Sequence, residues 1–98
     1  MNTLLCINVN KQPTDPVNDY ITAKVSKLLR ESAEDESTRI RGVIRCPACG
    51  YMEEGYATNC SRILFDGTQM SVLGLHFVRD HRNEISNDEL LSVTKLML

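Results

Sequence analysis

Two pairs of side chains in this 98-residue sequence have the types and the spacing of metal ligands. Cys46 and Cys49 enclose a Pro-Ala dipeptide and are followed by glycine, and His76 and His81 are the only two histidines. Two thiolates on one tight turn can bind a single ion, and two imidazoles from a helix can complete a tetrahedron around it. We therefore predict one zinc ion bound by these four residues. The ion is predicted to be structural, because four protein ligands leave no position for a catalytic water.

The spacing of the two histidines places a condition on the helix that carries them. On an ideal α-helix, a separation of five residues rotates His81 about 140° from His76 around the helix axis. Both imidazoles can reach one ion only if the last helical turn is tightened or frayed, which is common at helix ends. We therefore expect the helix to lose its regular geometry near His81.

The four predicted ligands resemble the two-Cys, two-His zinc finger family. The resemblance covers about Arg45 to Arg82 and includes Leu73, three residues before His76, where the family has a core leucine. It implies a strand hairpin that carries the cysteine turn and packs on a helix that carries the histidines. The 26 residues between Cys49 and His76 depart from the family, in which about 12 is usual. They imply an insertion that loops out of the hairpin, or a fold that is only finger-like.

The remaining cysteines leave alternatives open. Cys60 is a possible alternative ligand that would replace one histidine in a three-Cys, one-His site. It can equally be a buried apolar residue, as free cysteines usually are, and we favour this because the other four side chains already close the ligand set. Cys6 is predicted to lie in the core. The uneven placement of the cysteines argues against two disulfides.

The elements that position these ligands are predicted from hydrophobic periodicity. Leu5, Ile7 and Val9 alternate with polar residues, which predicts a short N-terminal strand. An Asp-Pro pair at Asp15 predicts the start of an amphipathic helix that continues to Arg30. The polar and acidic run of residues 31–37 predicts a solvated linker.

The second half of the chain is predicted to contain two extended segments followed by two helices. Residues 39–46 alternate with the period of a strand, and residues 56–65 form a second extended segment that the turn pair Asp66-Gly67 closes. The pattern then becomes helical, from about Thr68 or Ser71 to Arg82.

Two further signals concern the helices. Gly74 is a weak position in the middle of the histidine helix. Ser86 and Glu89 have the spacing of a capping box, which predicts a last helix from Asn87 to about Met97.

Together these elements predict an α+β fold and one folding unit over residues 1–98. Residues 1–37 form a strand and helix with the acidic linker, residues 38–85 the finger-like module, and residues 86–98 the C-terminal helix. So short a chain gains little net stability from burial alone. A bound zinc ion contributes on the order of 10 kcal/mol to a folded state of this kind.

Charge and hydropathy exclude several classes of protein. The formal net charge of -2 excludes the strong positive field that drives non-specific nucleic-acid binding. There is no run of about 20 apolar residues for a membrane span, and the N-terminus lacks the features of a secretory signal. We therefore expect a cytoplasmic protein without a membrane partner.

We do not expect an enzyme. Both histidines are assigned to the metal, which leaves the string Asp80-His81-Arg82-Asn83 without the general base of a His-Asn-His nuclease. Glu53 and Glu54 are expected to be solvated, as most acidic side chains are. The chain has no nucleophile-elbow sequence.

Nucleic-acid binding is the first of two remaining functions. Residues 38–85 contain six arginines, and arginine suits phosphate and guanine contacts. The residues predicted to bind nucleic acid are Arg39, Arg41, Arg45, Arg62, Gln69 and Ser71. In the register of the zinc finger family, Gln69, Ser71, Val72 and Leu75 would face the bases, and valine and leucine cannot hydrogen-bond to them.

A protein partner is the second function, and we favour it. A face with Val72 and Leu75 and a loop with Tyr51, Met52 and Tyr56 offer apolar and aromatic contacts. The same residues can instead close the core over the N-terminal helix. The apolar residues 96–98 suggest docking onto the same chain or onto a second copy, which makes a homodimer through the C-terminal helix possible. We therefore expect a small regulator or inhibitor that binds protein, with a DNA-binding zinc finger regulator as the alternative.

Overall fold

Three helices and a small sheet form an α+β fold, as predicted. The computed structural model describes residues 3–53 and 59–96 of the chain. In chain order the elements are α1 (Tyr20–Arg30), β1 (Ala33–Glu34), β2 (Arg62–Ile63), β3 (Gln69–Met70), α2 (Gly74–Asp80) and α3 (Asn87–Thr94), with 3-10 turns at Glu36–Thr38 and Arg82–Glu84. Within the described residues, every helix is too short or too polar to cross a membrane.

The sheet is antiparallel in the order β1-β2-β3. β2 and β3 form a hairpin in which Arg62 pairs with Met70, and the Asp66-Gly67 pair lies in its turn as predicted. Gly67 has a φ of 87°, a left-handed conformation that glycine adopts without steric cost. β1 pairs with β2 along the other edge, so the acidic run contains a strand and a 3-10 turn and is not a simple linker.

The structure corrects two predicted strands. Residues 5–9 are not a strand, because Leu5 adopts a φ of 58° and only Leu4 bridges to Met70. Residues 39–46 are irregular, with Gly42 at a φ of 85°. A residue in the left-handed region interrupts the alternation of a pleated strand. The predicted segment 56–65 is only partly described, and its observed strand is β2.

Helix α1 begins four residues later than the sequence indicates. Asp19, and not Asp15, caps it, because an Asp19 carboxylate oxygen accepts a hydrogen bond from the Thr22 N–H at 3.1 Å. The preceding segment stays outside the helix, since the N–H groups of Thr14 and Val17 donate to carbonyls of α2 at 2.8 Å. α1 then packs on the core with its apolar face, and its buried residues are Ile21, Thr22, Val25, Leu28 and Leu29.

Helix α2 is the most enclosed element, with residues 74–78 all buried. It begins at Gly74, so this glycine is at its start and not in its middle. A Cβ atom on Gly74 would lie 3.1 Å from Leu5 Cδ1 and 3.3 Å from Met70 Cγ. Glycine therefore allows the close approach of α2 to two fully buried side chains.

Helix α3 is capped as predicted, because Ser86 Oγ accepts a hydrogen bond from the Glu89 N–H at 3.2 Å. The capping box is not reciprocal: the Glu89 carboxylate accepts a hydrogen bond from the Leu5 N–H instead. This contact ties α3 to the N-terminal segment. Val93 faces the core and Leu91 is exposed.

Candidate metal centre

Cys46, Cys49, His76 and His81 come together in one cluster, and their four nearest ligand atoms lie within 4.8 Å of one another. Cys49 Sγ lies 3.3 Å from His76 Nε2 and 3.8 Å from His81 Nε2, and Cys46 Sγ lies 3.6 Å from His81 Nε2. Around a tetrahedral zinc ion, sulfur at about 2.3 Å and nitrogen at about 2.0–2.1 Å lie about 3.5 Å apart. These three separations lie within about 0.3 Å of this value, whereas the widest pair of ligand atoms is up to 4.8 Å apart. The four residues therefore form a possible metal site.

The cysteine pair lies on a tight turn. The Gly50 N–H donates to the Cys46 carbonyl at 2.7 Å, and the Cys46 N–H donates to the Tyr51 carbonyl at 2.9 Å. Gly50 has a φ of 76°, which glycine adopts without steric cost. The turn buries Cys46 in the core and leaves Cys49 exposed at the surface, so one side of the site is accessible to solvent.

The histidine pair satisfies the geometric condition set by its spacing. α2 ends at Asp80, and His81 leaves the helix with φ -124° and ψ 34° before the 3-10 turn Arg82–Glu84. This departure compensates for the rotation that five residues would impose on a regular helix. Both imidazoles are buried and direct Nε2 to the sulfur atoms.

A carboxylate accompanies each histidine. Asp80 Oδ2 lies 2.9 Å from His76 Nδ1, and Glu84 Oε2 lies 3.1 Å from His81 Nδ1. Because an ionised carboxylate can only accept a hydrogen bond, each Nδ1 carries the proton and each Nε2 presents its lone pair. Carboxylates hold metal-binding histidines in this way in many proteins. Neither carboxylate was predicted to belong to the site, although each follows a histidine by three or four residues, a spacing that places two side chains close together on one helical face.

The other oxygen of Glu84 connects the cluster to the N-terminal segment. Glu84 Oε1 accepts hydrogen bonds from the backbone N–H groups of Asn10 at 2.9 Å and Lys11 at 3.3 Å. These bonds, with that of His81, lower the pKa of Glu84 below its ordinary value. The carboxylate is therefore ionised at neutral pH.

Tyr51 and Arg79 cover His76. The Tyr51 ring stacks on the imidazole with centroids 4.2 Å apart and planes 9° apart. Arg79 Nη2 donates to the Tyr51 hydroxyl at 3.1 Å and to Asp80 at 3.2 Å. Tyr51 thus contacts the ligand cluster, and its contact to a partner stays a prediction.

The electrostatic surroundings favour a neutral imidazole at His76 and disfavour a bare thiolate at Cys49. Burial is the largest cause of a lowered pKa at His76, and Asp80 only partly opposes it. Desolvation is also the largest cause of a raised pKa at the Cys49 thiol, and Cys46 and Asp80 add to it. A neutral imidazole is ready to bind a metal, whereas the Cys49 thiol needs a nearby cation to stabilise its thiolate form.

The remaining cysteines lie outside the cluster. Cys60 is fully buried, as the favoured interpretation has it, and it is not among the clustered ligand atoms of the described residues. Cys6 is exposed, so its assignment to the core is wrong. The burial of residues 5–9 still alternates, with Leu5 and Val9 buried, and this alternation places Cys6 on the exposed side.

The predicted nucleic-acid face is not assembled. Arg62 is 5% exposed, and its guanidinium donates to the side chain and carbonyl of Ser32. Arg39 pairs with Glu34 and Glu36, whereas Arg41 and Arg45 are exposed. Gln69 and Ser71 precede α2, so they do not occupy a recognition helix, and the Gln69 side chain is bonded to Asp35.

The predicted protein-binding face is also different. Val72 and Leu75 are 1% and 9% exposed and belong to the core, which agrees with the alternative that these residues close the core and not with a contact to a partner. Met52 is half-buried, and Tyr56 lies outside the described residues, as does Glu54. Glu53 is buried and not solvated, and its Oε1 accepts a hydrogen bond from the Tyr51 hydroxyl.

No protein-family model, curated protein or solved structure matches the chain. The resemblance to the two-Cys, two-His zinc finger family therefore rests on the four clustered ligands, without a family match to support it. The fold around them differs from the one that the resemblance implies, because the β2–β3 hairpin follows the cysteine turn and does not carry it. The chain thus contains a possible metal site of two cysteines and two histidines in an α+β fold.

Proposed function

We propose that Cys46, Cys49, His76 and His81 bind one structural zinc ion. A tetrahedral set of two sulfur and two nitrogen ligands is typical of zinc, which imposes no other geometry. The observation that carries the proposal is the pairing of each Nδ1 with a carboxylate, which turns both Nε2 lone pairs towards the two sulfur atoms. Two thiolates balance the charge of the divalent ion, so the buried side of the site carries no uncompensated charge.

The same geometry supports a binding module and not an enzyme. Four protein ligands fill a tetrahedral shell, and the two nearby carboxylates, Asp80 and Glu84, are already bonded to the histidines. In this proposal zinc holds the cysteine turn against α2 and thereby fixes the shape of the surface around them. The chain acts through contact with another protein, as a small regulator or inhibitor.

Nucleic acid is the alternative partner, and the exposed Arg41 and Arg45 are the observation in its favour. They lie in the irregular segment that leads into the cysteine turn. Against it, Arg39, Arg79 and Arg82 each pair with carboxylates of the chain and Arg62 is buried. Among the six arginines of residues 38–85, Arg41 and Arg45 are the two that are exposed and not paired with a carboxylate of the described residues. Two such side chains in this module give few phosphate contacts, so this function is the weaker proposal.

Native mass spectrometry of the full chain, purified without added metal, tests both parts of the proposal. We expect one zinc ion per chain and a co-purifying protein. The Cys49→Ser variant should lose the ion, whereas Cys6→Ser, which changes an exposed cysteine outside the cluster, should retain it. A folded chain without metal would refute the zinc site. A chain that contains zinc and co-purifies with nucleic acid, and not with a protein, would contradict the protein partner and support the nucleic-acid-binding alternative.

A further inference from the structure

A cleft lies between α1 and α2. It has a volume of about 320 Å³ and continues along α1 into a second depression of about 450 Å³. Ala23, Ser26 and Arg30 line both depressions, which makes them one groove, and Leu75 and Arg79 form its α2 wall. Volumes of this size are typical of ligand sites, but few apolar side chains line this one. We call it the α1–α2 cleft.

Some charged side chains of the α1–α2 cleft are paired with other residues of the chain, and others are not. Arg30 and Lys27 are exposed and form no ion pair with any residue of the described part of the chain. Asp19, by contrast, is already occupied, since two nitrogens of Arg82 donate to its carboxylate at 2.7 and 2.8 Å. Glu31 lies at the far end, among the residues of the second depression. The cleft therefore offers the free cation of Arg30, with Lys27 beyond it in the second depression, and room for an anionic group.

Arg79 connects the cleft to the metal cluster. Its Nε and Nη2 atoms donate to Asp80 and Tyr51, and both of these residues contact His76. Its Nη1 atom forms no hydrogen bond with the described residues, which leaves a donor for a ligand. The metal centre thus fixes one wall of the cleft, while α1 supplies the other.

We propose that the α1–α2 cleft binds an acidic segment of a protein partner, with a carboxylate of the segment between Arg30 and Arg79. The proposal rests on the proposed function, which it deepens by naming the surface and the chemistry of the partner. Guanidinium groups bind carboxylates with paired hydrogen bonds. Asp19 and Glu31 at the margins favour a peptide, whose carboxylates are separated by neutral groups, over a continuous chain of phosphates.

Nuclear magnetic resonance titration of the zinc-loaded full chain tests the proposal. The probe is an acetylated peptide of Glu-Ala repeats, compared with a peptide of Gln-Ala repeats and with a thymidine oligonucleotide. We expect the acidic peptide to shift the amide signals of Ser26, Arg30 and Arg79, and the neutral peptide to leave them in place. Binding should weaken as salt is added, because the contact is an ion pair near the surface.

Two arginine variants provide a matched comparison. Arg30→Gln should weaken peptide binding about fivefold, whereas Arg41→Gln, which removes the same charge from an exposed site outside the cleft, should leave it within about twofold. Equal weakening by both variants would show attraction by net charge alone and would overturn the proposal. So would stronger shifts at the cleft with the oligonucleotide than with the peptide.

The same samples separate this inference from the proposed function. A chain that contains one zinc ion and co-purifies with a protein, but shows no peptide-induced shifts in the cleft, overturns the inference alone. A chain without zinc contradicts the proposed metal site, which the metal content reports independently of the titration.

Discussion

The substitution Glu84→Gln removes the hydrogen-bond acceptor of one proposed metal ligand, His81, and changes little else. In the native chain, Glu84 Oε2 accepts a hydrogen bond from His81 Nδ1 at an N–O distance of 3.1 Å, and Oε1 accepts hydrogen bonds from the backbone N–H groups of Asn10 and Lys11. A glutamine keeps an amide oxygen for the two backbone donors. Its NH₂ group then takes the place of Oε2 and cannot accept a hydrogen bond from the Nδ1–H of His81. The imidazole therefore loses the hydrogen bond that fixes its orientation and raises its basicity.

The expected effect is a zinc dissociation constant about 10 to 100 times larger, which corresponds to about 1.4–2.7 kcal/mol. Structural zinc sites bind with roughly 10–16 kcal/mol. The variant should therefore still fill its site and fold when zinc is in excess. The effect of the substitution should therefore be seen in the zinc dissociation constant, and not in the amount of zinc bound when zinc is in excess.

Competition with a chromophoric chelator measures that affinity at pH 7. Glu89→Gln is the matched control, because Glu89 also accepts a backbone N–H, from Leu5, but does not contact the clustered ligands. We expect the control to bind zinc within about twofold of the native chain. An unchanged affinity in Glu84→Gln, or an equal loss in both variants, would refute the role that we assign to the carboxylate.

Three further predictions concern stability. Removal of zinc by a chelator, or His76→Ala, should unfold the chain in circular dichroism, since the lost contribution of about 10 kcal/mol is comparable with the whole stability of a small domain; a native melting curve for either would contradict the structural role. Asp19→Asn keeps the helix cap but loses the pairing with Arg82, which holds the pKa of Asp19 well below its usual range. Because the pKa of Asp19 is lower in the folded chain, the stabilisation by this pair is present above about pH 4 and is lost as the pH falls. Denaturant titrations at pH 7 should show that the variant has a free energy of unfolding lower by about 0.5–1 kcal/mol, a small value because the Asp19 side chain is 38% exposed. A difference from the native chain that does not become smaller at acidic pH would contradict the assignment. Gly74→Ala should destabilise the chain by about 1 kcal/mol, because the added methyl group would crowd the fully buried Leu5. We expect this cost to exceed the gain from the higher helix propensity of alanine. A higher melting temperature for the variant would contradict this prediction and show that the contact can relax.

Local signals predicted several elements correctly, because the interactions that create them lie within a few residues. Ser86 caps α3 through the N–H three residues later, and the Asp66-Gly67 pair turns the hairpin through the left-handed Gly67. The apolar face of α1 is likewise buried. Each of these depends on short-range backbone geometry or on helical periodicity.

Long-range contacts overrode other local signals. The Asp-Pro pair at Asp15 is a good helix start, but Thr14 and Val17 donate their N–H groups to α2, so the helix begins at Tyr20. Leu5 sits in an apolar alternation typical of a strand, yet its N–H donates to Glu89, 84 residues away. No window of sequence contains both partners of such bonds.

The sequence by itself determined the ligand set of the possible metal site, because Cys-x2-Cys and two histidines are chemical types whose spacing limits how they can meet. It also determined that the helix must lose its regular form near His81. Only the tertiary structure decided which side chains surround that cluster. Asp80 and Glu84 hold the imidazoles, and the folded chain buries Val72 and Leu75, which the sequence pattern left free for a partner. The physical reason is that ligand chemistry is a property of single residues, whereas burial and charge pairing depend on every element that packs against them.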